Sequence, residues 1–148
     1  MPRFFIDTQP ADGQLALTGE DARHLLKVLR MRPGENLTLC DGKGTDYLCT
    51  FVGAEQDTAV CQVERTEPSR GEPNVAVTLF MGLPKGDKMD FIIQKAVELG
   101  ACEIVPFLAM RSVSRPDAKT LHKKCERWRK IAREAAMQCG RGRIPVSY

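Results

Sequence analysis

Asp90, Gln94 and Glu98 recur every four residues, with Lys95 beside them, so helical spacing would line these polar groups along one face. Arg111-Ser112-Val113-Ser114-Arg115 follows an apolar run, at the end of a strand where parallel sheets tend to bind ligands. Gln138, Arg141 and Arg143 crowd one short stretch, and Gly140 and Gly142 allow the backbone close to a ligand there. Arginine grips phosphate or stacks on bases. Nearer the start, Arg23, Lys27 and Arg30 stand at i, i+4 and i+7, with Arg32 just beyond. No acidic residue lies between Ala22 and Gly34. Three cations on one helix face would form a phosphate-reading surface, although a plain solvated face has the same spacing.

Other chemistries are poorly supported. There is no G-x-S-x-G elbow and no H-E-x-x-H. The Gly82–Lys88 segment has a phosphate-loop flavour, but it lacks the Walker glycine spacing and the Ser/Thr after lysine. No G-x-G-x-x-G follows the first strand of the second half, which disfavours a dinucleotide in the usual place. Six cysteines occur, none at C-x-x-C spacing, with only two histidines to join them, so no zinc site is expected. Cys40, Cys49 and Cys61 fall in strand-like runs, and Cys125 and Cys139 in a helix stripe, so all are expected as small buried hydrophobes.

The 148 residues are 43% hydrophobic and 28% charged, the balance of a folded globular chain. No apolar run approaches the ~20 residues that span a bilayer, and the start does not read as a signal peptide, so the cytoplasm is the expected location. The net charge of +3 conceals an asymmetry. Residues 1–74 carry 8 basic and 12 acidic side chains, whereas residues 75–148 carry 14 and 7. Residues 119–148 alone hold 9 basic and 2 acidic ones, which suits a polyanionic partner.

Thr66–Asn74, with two prolines and a glycine, is expected as a linker between two domains, 1–70 and 75–148. Before it, Gln14–Leu17, Asn36–Cys40, Asp46–Val52 and Thr58–Thr66 read as short strands of a small barrel, with Asp41-Gly42 and Gly53 as turns. One helix interrupts them, capped by Thr18, burying Ala22, Leu25, Leu26 and Leu29, and ended by Arg32-Pro33-Gly34. After the linker, Val75–Leu83 reads as a strand buried on both faces. Asp87 is expected to cap a helix, Lys88–Leu99, with Met89, Ile92, Ile93, Ala96 and Val97 inside. Cys102–Leu108 is the next strand. A longer helix starts at Asp117 or Thr120 and runs to Cys139, with Leu121, Cys125, Trp128, Ala132, Ala135 and Cys139 spaced 4-3-4-3-4. Ile144–Tyr148 begins a third strand. This β-α-β-α-β order opens a parallel α/β sheet with helices stacked on its faces. Three strands and two helices make a thin domain, so a continuation past Tyr148 is expected.

The residues also carry a family likeness. Lys85–Asp90, Gln94–Gly100, Ile104-Val105-Pro106, Arg111-Ser112, Arg127–Ala132, Glu134–Arg141 and Ile144-Pro145 resemble the ribosomal RNA small subunit methyltransferase E family. Upstream, His24–Gly34 and Asp41-Gly42 are similar to its first domain. The resemblance implies a PUA-like β-barrel that binds RNA, followed by a SPOUT-type α/β domain with a trefoil knot. It implies methylation of N3 of one uridine in 16S rRNA of the small ribosomal subunit, with S-adenosylmethionine as donor, by a homodimer, and no role for DNA or membrane. The family's donor-binding loops would follow Tyr148, so none of the matched residues is assigned to the donor. RNA-binding or supporting roles fall to Arg23, Lys27, Arg30, Arg32, Arg111, Gln138, Arg141 and Arg143. Glu98 is the nearest carboxylate for a base, with a structural role as its alternative. A non-catalytic RNA-binding module of barrel plus basic helix is the competing expectation, and a fragment with no function of its own is a third.

Overall fold

The computed structural model describes residues 1–113 and 115–147. Ser114, in the segment after the second apolar run, and Tyr148, in the expected third strand, lie outside the described residues. The chain divides into two compact units, Met1–Arg70 and Gly71–Tyr148.

The first unit contains β1 (Arg3–Phe5), β2 (Gln14–Leu17), α1 (Gly19–Arg23), a π-helical turn (His24–Val28), β3 (Asn36–Cys40), β4 (Thr45–Glu55) and β5 (Thr58–Pro68). The strands form one sheet in the order β1-β3-β4-β5-β2, antiparallel except for β1 beside β3. Alternation in β2 buries Leu15 and Leu17, as period-2 pleating requires. Phe4, Leu25, Leu37, Leu39 and Phe51 join them in the core. β1 has three residues, too few for alternation to announce it.

Gly53 is not a turn. It lies inside β4, where the pairing register shifts between Phe51 and Gly53, and such a bulge bends a strand. The Asp41 turn does form: Asp41 Oδ1 accepts from the Lys43 and Thr45 N–H groups at 2.8 and 2.9 Å. Only the first residues of the expected linker belong to a strand, and the two units divide inside the rest of it, after Arg70. β5 continues to Pro68, and the Ser69 hydroxyl bonds Asp46 beside the Arg3–Asp46 ion pair at 2.7 Å. Burial works against the Asp46 charge. Hydrogen bonds from Arg3 and Ser69 outweigh it and hold the carboxyl below the usual aspartate value.

The second unit contains β6 (Thr78–Gly82), α2 (Lys88–Glu98), β7 (Glu103–Phe107), α3 (Ala118–Cys139) and β8 (Val146–Ser147). Its three strands are parallel, in the order β6-β7-β8. Crossovers of the usual right hand that step in one direction put both helices on the same face, and α2 does pack against α3. The expectation of a doubly covered β6 is thereby corrected. Phe80 on β6 and Phe107 on β7 remain 66% and 47% exposed, and their register partners, Val105 and Gly82, place them on one side of the sheet. Met89, Ile93, Val97, Ile104, Trp128, Ala132 and Ala136 fill the helix side.

Asp117 caps α3, accepting from the Thr120 N–H at 2.7 Å. Thr18 and Asp87 precede their helices but make no side-chain cap bond. Two stripe positions also depart from expectation, because Cys125 is half-buried and Cys139 exposed. Cys40, Cys49 and Cys61 are buried as expected. Burial pushes the Cys49 thiol up to about 12 and the Cys61 thiol to about 11. An alkylating reagent at neutral pH should therefore modify Cys139 first and spare Cys49 and Cys61 until the chain unfolds. Peptide mass spectrometry after timed labelling checks this, and equal labelling of Cys49 and Cys139 would refute the buried placement.

Candidate nucleic-acid interface and inter-helix cleft

In the first unit, Arg23, Lys27, Arg30 and Arg32 are all exposed. The regular helix expected to array them is absent. α1 has five residues, and the backbone then widens into a π turn in which the Leu29 N–H donates to His24 O at 2.9 Å. Arg30 leaves the helix altogether, with φ at 51°. Spacing by 3.6 residues per turn thus fails here. It also explains why Ala22 and Leu25 are buried while Leu29 of the expected stripe is 41% exposed. The cations remain outward, on a turn rather than on one helix face. No acidic partner engages the side chains of Arg23, Lys27 or Arg30 among the described residues.

In the second unit, α2 and α3 flank an open cleft of about 500 Å³ lined by Asp87, Asp90, Phe91, Gln94, Arg127, Ile131, Glu134, Ala135 and Gln138. Asp90 is drawn in rather than left on a surface row: its carboxylate accepts from Trp128 Nε1 at 3.1 Å and pairs with Arg127. Gln94 lines the cleft and donates to Glu98 at 3.0 Å. Glu98 is held by Lys95 at 2.7 Å. Hydrogen bonds from Lys95 and then Gln94 keep its carboxyl below the ordinary glutamate value, which weakens it as a base. Gln138 lines the cleft, and Phe91 stays 62% exposed at its side. Amides, carboxylates and an aromatic plane suit hydrogen bonding and stacking. No serine, cysteine or histidine lines the cleft, and no cluster of metal-ligating side chains occurs among the described residues.

Arg111 and Arg143 are exposed, whereas Arg141 turns inward and is 2% exposed. Its guanidinium donates to both oxygens of Glu72, at 3.0 and 2.8 Å, and to the Val97 and Ala101 carbonyls at 3.0 and 2.8 Å. Glu72 also accepts from the Gly142 and Arg143 N–H groups. So enclosed, the Arg141 side chain ties the end of α3 to the start of the unit and turns away from solvent. Gly71 completes the joint, since a Cβ there would collide with the Gly140 carbonyl. Glu72, Arg127 and Trp128 were not chosen from the sequence as site or support residues. Glu72 lies in a polar stretch that carries no local signal of a partner some seventy residues away.

Comparison with known proteins covers both units. Residues 71–147 match the RNA methyltransferase domain family, and residues 17–64 match the RNA methyltransferase PUA domain. The ribosomal RNA small subunit methyltransferase E of Bacillus subtilis (strain 168) is 41% identical over 98% of this chain and 58% of its own length. That of Mycobacterium tuberculosis is 35% identical over 96% and 54%. The chain thus spans little more than half the length of these relatives. Among solved structures, the Neisseria gonorrhoeae ribosomal RNA small subunit methyltransferase E bound to S-adenosyl methionine superposes with a TM-score of 0.89. It is 35% identical, and the match covers 100% of this chain and 61% of that one. A Legionella pneumophila protein solved with bound SAM gives 0.87 at 28% identity, over 99% and 61%. The expected fold class, a PUA-like unit followed by an α/β methyltransferase unit, agrees with these matches and with the two sheets. No helix of the described residues is long and apolar enough to cross a membrane. By the match along 71–147 and the similarity of both units to these proteins, the chain belongs to the ribosomal RNA small subunit methyltransferase E family of RNA methyltransferases.

Proposed function

We propose that the protein takes part in the S-adenosylmethionine-dependent methylation of N3 of a uridine in 16S rRNA of the small ribosomal subunit. What carries this reading is continuity: 98% of the chain aligns with the Bacillus subtilis enzyme, through both compact units. On this reading the Met1–Arg70 unit is the RNA-binding one, with Arg23, Lys27, Arg30 and Arg32 on phosphates. Arg111, Gln138 and Arg143 support RNA at the second unit, and Arg141 positions the end of α3. The protein works in the cytoplasm as a homodimer.

S-adenosylmethionine, when bound, supplies an electrophilic methyl group. The α2–α3 cleft does not fit it. The α2–α3 cleft is open, its Phe91 largely exposed, and it is lined by side chains of two helices and their approach rather than by the enclosing walls a small-molecule cofactor needs. No step is therefore routed through the donor. On the RNA side, uridine N3 carries a proton that must leave before or as the N3–methyl bond forms, and it passes to a base. Cationic contacts to the RNA backbone hold the uridine in register for that transfer.

The test is genetic and chemical. Disrupting the gene that encodes this sequence should remove 3-methyluridine from 16S rRNA, as read by mass spectrometry of digested nucleosides. An undiminished 3-methyluridine level would sink the proposal.

A further inference from the structure

α3 carries seven lysines and arginines against two glutamates. At 100° per residue, Lys119, Lys123, Glu126 and Lys130 fall on one stripe, opposite the buried Trp128, Ala132 and Ala135. Lys119, Lys123 and Lys130 are exposed. Lys119 and Lys123 have no hydrogen-bond or ion-pair partner among the described residues. Glu126, the one carboxylate on the stripe, faces His122 at 3.5 Å.

This charge placement opposes the helix's own stability. A helix favours acidic residues in its first turn and basic ones in its last. α3 has no acidic residue in its first turn and no basic residue in its last, although Asp117 precedes it as the cap. Lys119 and Lys123, like charges four apart, repel one another. Arg127, the next cation round the helix, is already paired with Asp90 at the cleft, so the lysine stripe borders the cleft that Gln138 also lines.

We propose that the Lys119–Lys123–Lys130 face of α3 is a second RNA-binding surface, which holds the phosphate backbone of the rRNA beside the α2–α3 cleft. The inference rests on the RNA-directed reading above and adds the lysine face of α3 to the contacts given there to Arg111, Gln138 and Arg143. Three lysines over about 17 Å of helix match a run of backbone phosphates and read no base sequence. Binding there is electrostatic and falls with salt.

Fluorescence anisotropy of the full chain with a labelled hairpin transcribed from 16S rRNA, titrated across salt, tests it. The triple variant K119Q/K123Q/K130Q should bind roughly tenfold more weakly at moderate salt and flatten the log Kd against log salt slope by about 3. The triple arginine variant should keep the wild-type slope. The double variant K119Q/K123Q should also melt no lower than wild type, because repulsion is relieved; a clear fall in melting temperature would overturn the charge-placement premise. Wild-type binding with an unchanged slope in the glutamine variant overturns this inference alone. A wild-type chain that binds no RNA overturns both it and the proposed function.

Discussion

Replacing Arg141 with alanine should destabilise the Gly71–Tyr148 unit by about 3 kcal/mol, the cost typical of breaking a buried ion pair by removing one partner. The guanidinium is almost wholly enclosed and donates hydrogen bonds to both oxygens of Glu72 and to Val97 O and Ala101 O. Its loss leaves two carbonyls and much of a carboxylate without their donor. Lysine at this position should recover only part of the loss, because a point charge cannot replace a planar fork. The chain holds one tryptophan, Trp128, and it lies in this unit, so urea unfolding followed by its fluorescence reads the effect directly. A change of under about 1 kcal/mol would show that the joint contributes no more than a surface pair.

The pair also makes an acid signature. Burial alone would raise the Glu72 pKa, but the Arg141 hydrogen bond and charge, with the Arg143 and Gly142 N–H groups, hold it below the ordinary 4.5. A carboxyl lowered in the fold contributes stability that is present above its unfolded pKa and lost as pH falls through the folded one. The gap between wild type and R141A should therefore be full at neutral pH and narrow in acid, below the ordinary glutamate value. A gap independent of pH would contradict this.

Trp128→Ala should cost about 3–5 kcal/mol, the usual range for removing a buried large aromatic side chain. Trp128 is 1% exposed and sits where α3 meets α2, with its indole N–H on Asp90. Trp128→Phe separates the two contributions. It keeps most of the apolar volume and should lose about 1 kcal/mol for the hydrogen bond. Circular dichroism during urea unfolding measures both variants, since the fluorophore is gone. If alanine were as mild as phenylalanine, packing at this crossing would not hold the helices together. The functional consequence follows from position, because Asp90, oriented by Trp128 and Arg127, forms one wall of the cleft.

Much of this could be read without coordinates. Gln14–Leu17 and Asn36–Cys40 are strands over the expected residues, because alternation of side chains acts locally and neighbouring residues suffice to show it. α2 begins at Lys88 as expected, and α3 is started by Asp117 and stopped by Gly140 in the left-handed conformation, for the same reason. The run of motifs from His24 to Pro145 was enough to indicate the family.

Other features depend on what distant residues do. The helix after Thr18 has a regular apolar stripe, yet packing of Ala22 and Leu25 into the first unit is met by a widened turn, and Arg30 is carried off the helix. Val75–Leu83 reads as doubly buried, but burial of a strand depends on which face the crossovers cover, and both crossovers here step the same way. Asp90 reads as a surface carboxylate until Trp128, 38 residues on, donates to it. Arg141 differs most. Its type and glycine-flanked setting mark it for RNA in the sequence, and only the approach of Glu72 from 69 residues away turns it inward. Sequence by itself determined most of the elements, the charge asymmetry and the family, because these follow from residue types at short spacing. Tertiary structure alone decided which of the polar residues face solvent and which hold the fold, because a charge is buried or exposed according to partners that no local pattern names.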